Sequence, residues 1–291
     1  MKSRLDLHLH SSASDGSHTP ADLVRMCLDR GLRYIGLTDH DTTGGIQEAL
    51  DAAWGTPLTV IPGVEISTET EGPNEVHILG YHIDYQSEPL QERLTRLRES
   101  RYERAHKVLD LLAQNGCPVS WQRVSSLAGT GSIGRPHIAQ AMVEARYVES
   151  VEMAFQRYLR RGAPAYVPRA KLLPAEAIQL VLEAGGVPVL AHPSRIMEQV
   201  PALVQAGLKG IEAYYFGYPE PEIEHILGIA EKHGLIATGG TDFHGVGITN
   251  APEPGAVYVP DSAVEALQAC ERHIPVYTDQ ESTLLATSSP T

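Results

Sequence analysis

The sequence predicts an α/β protein: a distorted seven-stranded (β/α) barrel with an α-helical insertion. Three observations carry this. Seven short apolar runs recur along the chain, helical patterns fall between several of them, and His, Asp and Glu gather where the runs end. A parallel barrel places its functional side chains at the C-terminal ends of its strands, so the third observation agrees with the first two.

Residues 5–9, LDLHL, alternate leucine against Asp6 and His8 with the period of two that marks a strand, and His10 continues the polar side. Further apolar runs at 34–37, 58–61, 75–79, 187–190, 210–213 and 235–238 read as buried strands. Helical patterns occupy 21–30, behind the start signal Thr19-Pro20, and then 46–53, 175–184 and 221–233. Gly31, Gly185 and Gly234 stand where three of these helices should stop. This makes seven β–α units. Between the fourth and fifth strands, residues 88–164 read as the insertion. There Leu90, Leu94 and Leu97, then Val108, Leu111 and Leu112, are spaced for an apolar helical stripe. The barrel is therefore expected over 1–87 and 165–291, ending in a frayed polar tail, STLLATSSPT.

A chain of 291 residues can build one large core, and 42% apolar with 20% charged residues argues against a disordered chain. No apolar run approaches the length of a membrane span, and the Asp6/His8/His10 pattern leaves no room for a cleaved signal. Cys27, Cys117 and Cys270 are odd in number and scattered, which argues against a disulfide framework and for the cytoplasm. The net charge of −13 argues against nucleic-acid binding by the whole surface. That charge is uneven. Residues 93–171 hold 14 Lys and Arg against 6 Asp and Glu, while the rest holds 9 against 30.

The ligand-type residues fall at run ends. His8 and His10 close the first strand and Asp15 follows it; Asp39, His40 and Asp41 follow the second. Glu65 follows the third, His77 lies on the fourth, His192 ends the fifth, and Asp242 and His244 end the seventh. One histidine after a strand is ordinarily a solvated or capped side chain. Six histidines and three carboxylates brought together without countercharge would be costly to bury, and divalent cations remove that cost. The absence of cysteine from the set favours Mn²⁺, Fe²⁺ or Zn²⁺ over a thiolate zinc site.

The stretches DLHLHSSASDGSHTP, LTDHDTTGG, GVEIS, AHP and TDFH, in this order, resemble the polymerase and histidinol phosphatase (PHP) family. The resemblance covers roughly 1–85 and 165–255. It implies two to three divalent ions, with Mn²⁺ first. His8, His10, Glu65 and Asp242 would hold one ion, and Glu65 would bridge to a second held by His77 and His192. Asp15, His40 and His244 would hold a third, although some relatives carry His where this chain has Asp15. Asp6, Asp39 and Asp41 are candidates to orient the imidazoles, and Asp39 is also the candidate for proton transfer.

The basic insertion carries Arg98, Arg101, Arg104 and Lys107 at intervals of three. Arg101 and Arg104 have no acidic residue three or four positions away, so the stripe is expected to meet anions from a ligand. In GTGSIGRPH, Gly131 and Gly134 permit close backbone approach and Arg135 supplies a fork, although His137 could cap the next helix instead. The segment IGRPHIAQAMV is similar to that of the smaller PHP enzymes acting on nucleoside 3′,5′-bisphosphates and the 5′ ends of short oligoribonucleotides. That resemblance implies Arg101, Tyr102, Gly134 and Arg135 as substrate contacts, with Arg104 beside them. The expected protein is thus a metal-dependent phosphatase for a nucleotide or short RNA, with no membrane and no obligate protein partner. A histidinol-phosphate phosphatase and a non-catalytic PHP regulatory module are the alternatives. His18, His82, His106, His225, His233 and His273 have no placement of this kind.

Overall fold

The computed structural model describes residues 4–69, 75–128, 133–168, 172–245 and 253–271. Seven strands follow one another in chain order around a nearly closed barrel: β1 (Leu5–Leu9), β2 (Tyr34–Leu37), β3 (Thr59–Glu69), β4 (Glu75–Tyr81), β5 (Val187–Leu190), β6 (Gly210–Tyr215) and β7 (Ile236–Gly240). Helices α1 (Pro20–Asp29) and α2 (Ile46–Ala53) follow the first two strands. The Thr19 hydroxyl caps α1 by accepting from Asp22 N at 3.1 Å, and Pro20 opens the helix, as the sequence signal predicts. A parallel bridge from Leu9 to Phe243 returns the end of β7 to β1. Gly240 permits that approach, because a Cβ there would lie 2.5 Å from His8 N.

The structure corrects the expectation of seven β–α units. β1, β2 and β3 are parallel, as are β5, β6 and β7, but β4 runs antiparallel to both its neighbours. Only residues 70–74 separate β3 from β4, too few for the crossover that a parallel pair requires. β3 is also longer than expected. It pairs with β2 as far as Pro62, then switches partner and pairs with β4 from Gly63 onward. Glu65 therefore lies inside a strand rather than after one. Since β4 is reversed, its N-terminal residues, His77 among them, reach the barrel end where the parallel strands finish.

Between β4 and β5 come α3 (Glu88–Gln114), α4 (Trp121–Ala128), α5 (Arg135–Glu144), α6 (Val151–Ala154), a π-helical turn (Phe155–Leu159) and α7 (Pro174–Glu183). Later helices are α8 (Val200–Gln205), α9 (Glu220–His233), which ends at the left-handed Gly234, and α10 (Ser262–Glu271). Helix α3 belongs to two cores. Leu90, Leu94 and Leu97 join the apolar layer between the sheet and α1, α2, α7 and α9. Ala105, Val108, Leu109 and Leu112 join a separate cluster with α4, α5 and the π turn. Each buried leucine contributes about 1.5–3 kcal/mol, which fixes the first half of α3 to the barrel. A third cluster seats α10 against the strands. The polar tail and His273 lie outside the described residues.

Candidate metal centre

Loops at the ends of the parallel strands meet the start of β4 at one mouth of the barrel. His8 and His10, at and beyond the end of β1, are fully buried, and so is Glu65 on β3. A backbone bridge from His40 to Glu65 aligns the end of β2 with β3. Glu65 stands at the hub. Its Oε1 lies 2.9 Å from His77 Nδ1 and 3.1 Å from His192 Nε2. Its Oε2 faces His8 Nε2, His10 Nε2 and His40 Nδ1 at 3.3, 3.2 and 3.1 Å. Asp242 Oδ1 completes that side, 3.3 Å from His8 Nε2 and 3.1 Å from His10 Nε2. Asp15 Oδ1 lies 3.3 Å from His244 Nε2 and 3.8 Å from His10 Nδ1, and Asp15 Oδ2 lies 3.9 Å from His40 Nε2. The ligand-type residues fall into three overlapping groups: His8, His10, Glu65 and Asp242; His40, Glu65 and His77; and His10, Asp15, His40 and His244.

The donor atoms fit metal ions. His8 Nε2, His10 Nε2, His40 Nδ1, Glu65 Oε2 and Asp242 Oδ1 are buried, and none makes a hydrogen bond of acceptable geometry. Orphaned buried polar atoms are costly, and here they converge on one another. Metal–ligand bonds of about 2.1 Å set neighbouring donors roughly 3.0–3.4 Å apart, the range of the separations around Glu65 Oε2.

Electrostatics agrees. Burial alone would depress His8, but Glu212, Asp242 and Glu65 outweigh it and raise its pKa well above the usual imidazole range. Burial likewise opposes the charged form of His10, yet Asp242 and Glu65 push it up to about 10. His40, by contrast, is pushed down to about 3 by burial. Burial disfavours the Glu65 and Asp242 carboxylates, but the surrounding imidazoles hold both well below their ordinary values. The carboxylates thus demand positive charge, and in the metal-free protein protons on His8 and His10 supply it.

Of the neighbouring acids, Asp39 is buried with both oxygens engaged. Oδ1 accepts from Ser11 N at 2.7 Å and Ser14 Oγ at 2.6 Å, and Oδ2 from Ser11 Oγ at 2.7 Å. It braces the loop that carries Asp15. Asp6 ties β1 to the far end of β7, accepting from Thr241 N, Thr241 Oγ1 and Gly255 N. Two residues on β6 escape the sequence reading. The buried Glu212 lies 3.0 Å from His8 Nδ1, and the Tyr215 hydroxyl donates to Asp242 Oδ2 at 2.8 Å. An acid inside the apolar run 210–213 was the available signal for Glu212.

Beside the mouth, Arg101, Arg104, Gly134 and Arg135 line one cleft with Val108, Ile133 and Ile138. The expectation that Arg101 lacks an acidic partner is corrected. Its guanidinium bonds to Asp41 and also donates to Ser67 Oγ at 2.8 Å, while Arg98 donates to the Asp41 carbonyl at 2.9 Å. The partner comes from the barrel, which a search along the helix alone could not reach. Arg104 is buried and donates to Val167 O, and Arg135 lies over the Phe155 ring and near Leu159 O. Tyr102 is exposed, its ring 6.1 Å from Trp121. His137 caps α5 by accepting from Gly134 N at 3.1 Å. Gly131 lies outside the described residues.

A PHP domain matches residues 6–173. The chain belongs to the PHP family. Among its relatives is the 5′-3′ exoribonuclease Rnm of Escherichia coli, 34% identical over 82% of this chain and 84% of the relative. The 3′,5′-nucleoside bisphosphate phosphatase of Chromobacterium violaceum is 34% identical over 84% of this chain and 88% of its own. A crystal structure from Bifidobacterium adolescentis, described as a metal-dependent phosphoesterase, superposes with a TM-score of 0.81 and 33% identity. That match covers 91% of this chain and 96% of the other. The PHP match takes in His8 to His77 and stops before His192, Asp242 and His244, which the barrel brings back to the same mouth.

Proposed function

We propose that this PHP protein is a metal-dependent phosphatase that removes the 3′-phosphate of nucleoside 3′,5′-bisphosphates and trims short oligoribonucleotides from the 5′ end. One observation carries the reading: Glu65 offers its two oxygens to two sets of imidazoles, beside a cleft that holds three arginines. His8, His10, Glu65 and Asp242 would hold one ion, and Glu65, His77 and His192 a second. Asp15, His40 and His244 would hold a third, with Mn²⁺ as the first choice and Fe²⁺ or Zn²⁺ as alternatives. When bound, such ions activate water and neutralise phosphoryl oxygens.

The remaining work falls to side chains. Arg101, Arg104 and Arg135 bring positive charge to the cleft beside Gly134, where the second phosphate would be held. Tyr102 offers an aromatic surface to a nucleoside. Asp39, with its oxygens on Ser11 and Ser14, keeps the Asp15 loop in place and so positions a ligand. The helical insertion expected over 88–164 would cover the substrate, with the first half of α3 fixed to the barrel through Leu90, Leu94 and Leu97. The family and the names of its relatives support this reading, and a small cationic substrate such as histidinol phosphate would have no use for the arginines. Among the described residues no helix is long and apolar enough to cross a membrane, and the free cysteines support a cytoplasmic setting.

Product release from a panel tests the proposal, each with Mn²⁺: inorganic phosphate from a nucleoside 3′,5′-bisphosphate, a nucleoside 3′-phosphate and histidinol phosphate, and nucleoside 5′-monophosphate from a short 5′-phosphorylated RNA. The bisphosphate should be the best phosphatase substrate. Preference for histidinol phosphate, or no hydrolysis with ions bound, would overturn it.

A further inference from the structure

Two of the proposed ligands have unusual backbones. His192 has φ of 28° and Asp242 has φ of 53°, both in a region that non-glycine residues rarely adopt. Such conformations persist only where neighbours over-determine them. In each case a neighbour comes from β6, a strand that places no residue in the three ligand groups. Glu212 Oε2 accepts from His192 N at 2.8 Å, while Glu212 Oε1 lies 3.0 Å from His8 Nδ1. Tyr215, three residues on, donates its hydroxyl to Asp242 Oδ2 at 2.8 Å, with its ring 5.7 Å from the His192 ring.

We propose that Glu212 and Tyr215 are positioning residues for the metal ions, Glu212 acting through His8 and His192 and Tyr215 through Asp242. With Nδ1–H donated to Glu212, His8 would offer its Nε2 lone pair to the ion shared with Glu65 and Asp242, whose Oε2 and Oδ1 each lie 3.3 Å from Nε2. With Oδ2 held by Tyr215, Asp242 turns Oδ1 toward His8 and His10. One carboxylate also connects the two sides of the hub, since His8 faces Glu65 Oε2 and His192 faces Glu65 Oε1. Losing Glu212 should therefore weaken two ions. Losing the Tyr215 hydroxyl should weaken only the ion that Asp242 holds. Glutamine is an incomplete replacement for Glu212, because its NH₂ would meet one of two N–H donors.

This inference rests on the metal occupancy proposed above. Metal-free wild type, Glu212→Gln, Glu212→Ala and Tyr215→Phe would be dialysed against graded Mn²⁺. Bound metal is then counted and the thermal unfolding of each metal-free protein recorded. Glu212→Gln should bind Mn²⁺ about 10–100-fold more weakly, and Glu212→Ala at least as weakly. Tyr215→Phe should weaken one ion and leave the others as in wild type, in a metal-free protein that still unfolds cooperatively. Folded Glu212→Gln and Tyr215→Phe proteins with wild-type Mn²⁺ binding would overturn the inference alone. Should the Glu212 variants fail to fold, wild-type binding by Tyr215→Phe overturns it. A wild type that takes up no Mn²⁺ overturns this inference and the metal reading together.

Discussion

Replacing Glu65 with glutamine tests the hub of the site with little change of shape. The side chain is fully buried and its volume is kept, and the backbone pairing of β3 with β4 does not involve the carboxylate, so the fold should survive. What changes is charge. Oε1 serves His77 and His192, and Oε2 serves His8, His10 and His40, so an amide must turn an NH₂ toward one set. Removing one member of a buried charge pair costs about 3–5 kcal/mol, and 3 kcal/mol corresponds to roughly 150-fold in affinity. Each ion that Glu65 shares should lose at least this much. The assay is Mn²⁺ binding by equilibrium dialysis, with circular dichroism for the fold and phosphate release from a bisphosphate for activity. Retained fold, loss of the two ions that Glu65 shares and turnover near zero are expected. Wild-type metal stoichiometry and turnover would refute the shared-carboxylate argument.

Three further predictions follow from the same geometry. Arg135→Ala should lower kcat/KM on a nucleoside 3′,5′-bisphosphate about tenfold or more by removing charge-assisted bonds, yet scarcely alter a small generic phosphoester or the metal content; equal losses on both substrates would return Arg135 to a structural role. Asp41→Ala should destabilise the protein by about 3–5 kcal/mol in chemical denaturation, because it leaves the Arg101 guanidinium without its buried carboxylate; an unchanged midpoint would show the pair to be dispensable. Mn²⁺ affinity should rise with pH by about tenfold per unit for each proton displaced, because His10, pushed up to about 10, carries a proton at neutral pH in the metal-free protein. Dissociation constants that stay flat between pH 6.5 and 8.5 would refute that proton–metal exchange.

What was legible in the sequence was local. The period-two run at 5–9, the Thr19-Pro20 start and the Gly234 stop each depend on neighbours along the chain, and each sits where expected. The ligand-type residues stood out because His and Glu inside apolar runs are costly to bury without a reason. Strand direction was not legible. Whether β4 runs with or against β3 is settled by backbone pairing, and apolar runs ending at 61 and starting at 75 hide how short the link between them is. Glu212 carried the same signal as His8, an acid within an apolar run, but no strand-end position drew attention to it.

Arg101 shows how a local rule can misplace a charge and still identify a working residue. Read along α3, it lacks an acid; in the fold its partner lies 60 residues earlier, on the loop that follows His40. Asp41 does more than neutralise it. Its backbone N–H donates to Glu65 O at 3.0 Å, and its Oδ1 accepts from Ser67 N at 2.9 Å, so one residue ties the end of β2 to β3 and the barrel to α3. The Arg98 bond to the Asp41 carbonyl and the buried Leu90, Leu94 and Leu97 anchor the same helix. The first half of α3 is consequently a fixed wall rather than a swinging flap. On the proposed function, a fixed wall beside a fixed hub sets the spacing between the phosphate that is cleaved and the phosphate that is held. Selectivity for two phosphates across one ribose then follows from the distance that the Asp41–Arg101 pair maintains, as well as from the charge of the cleft.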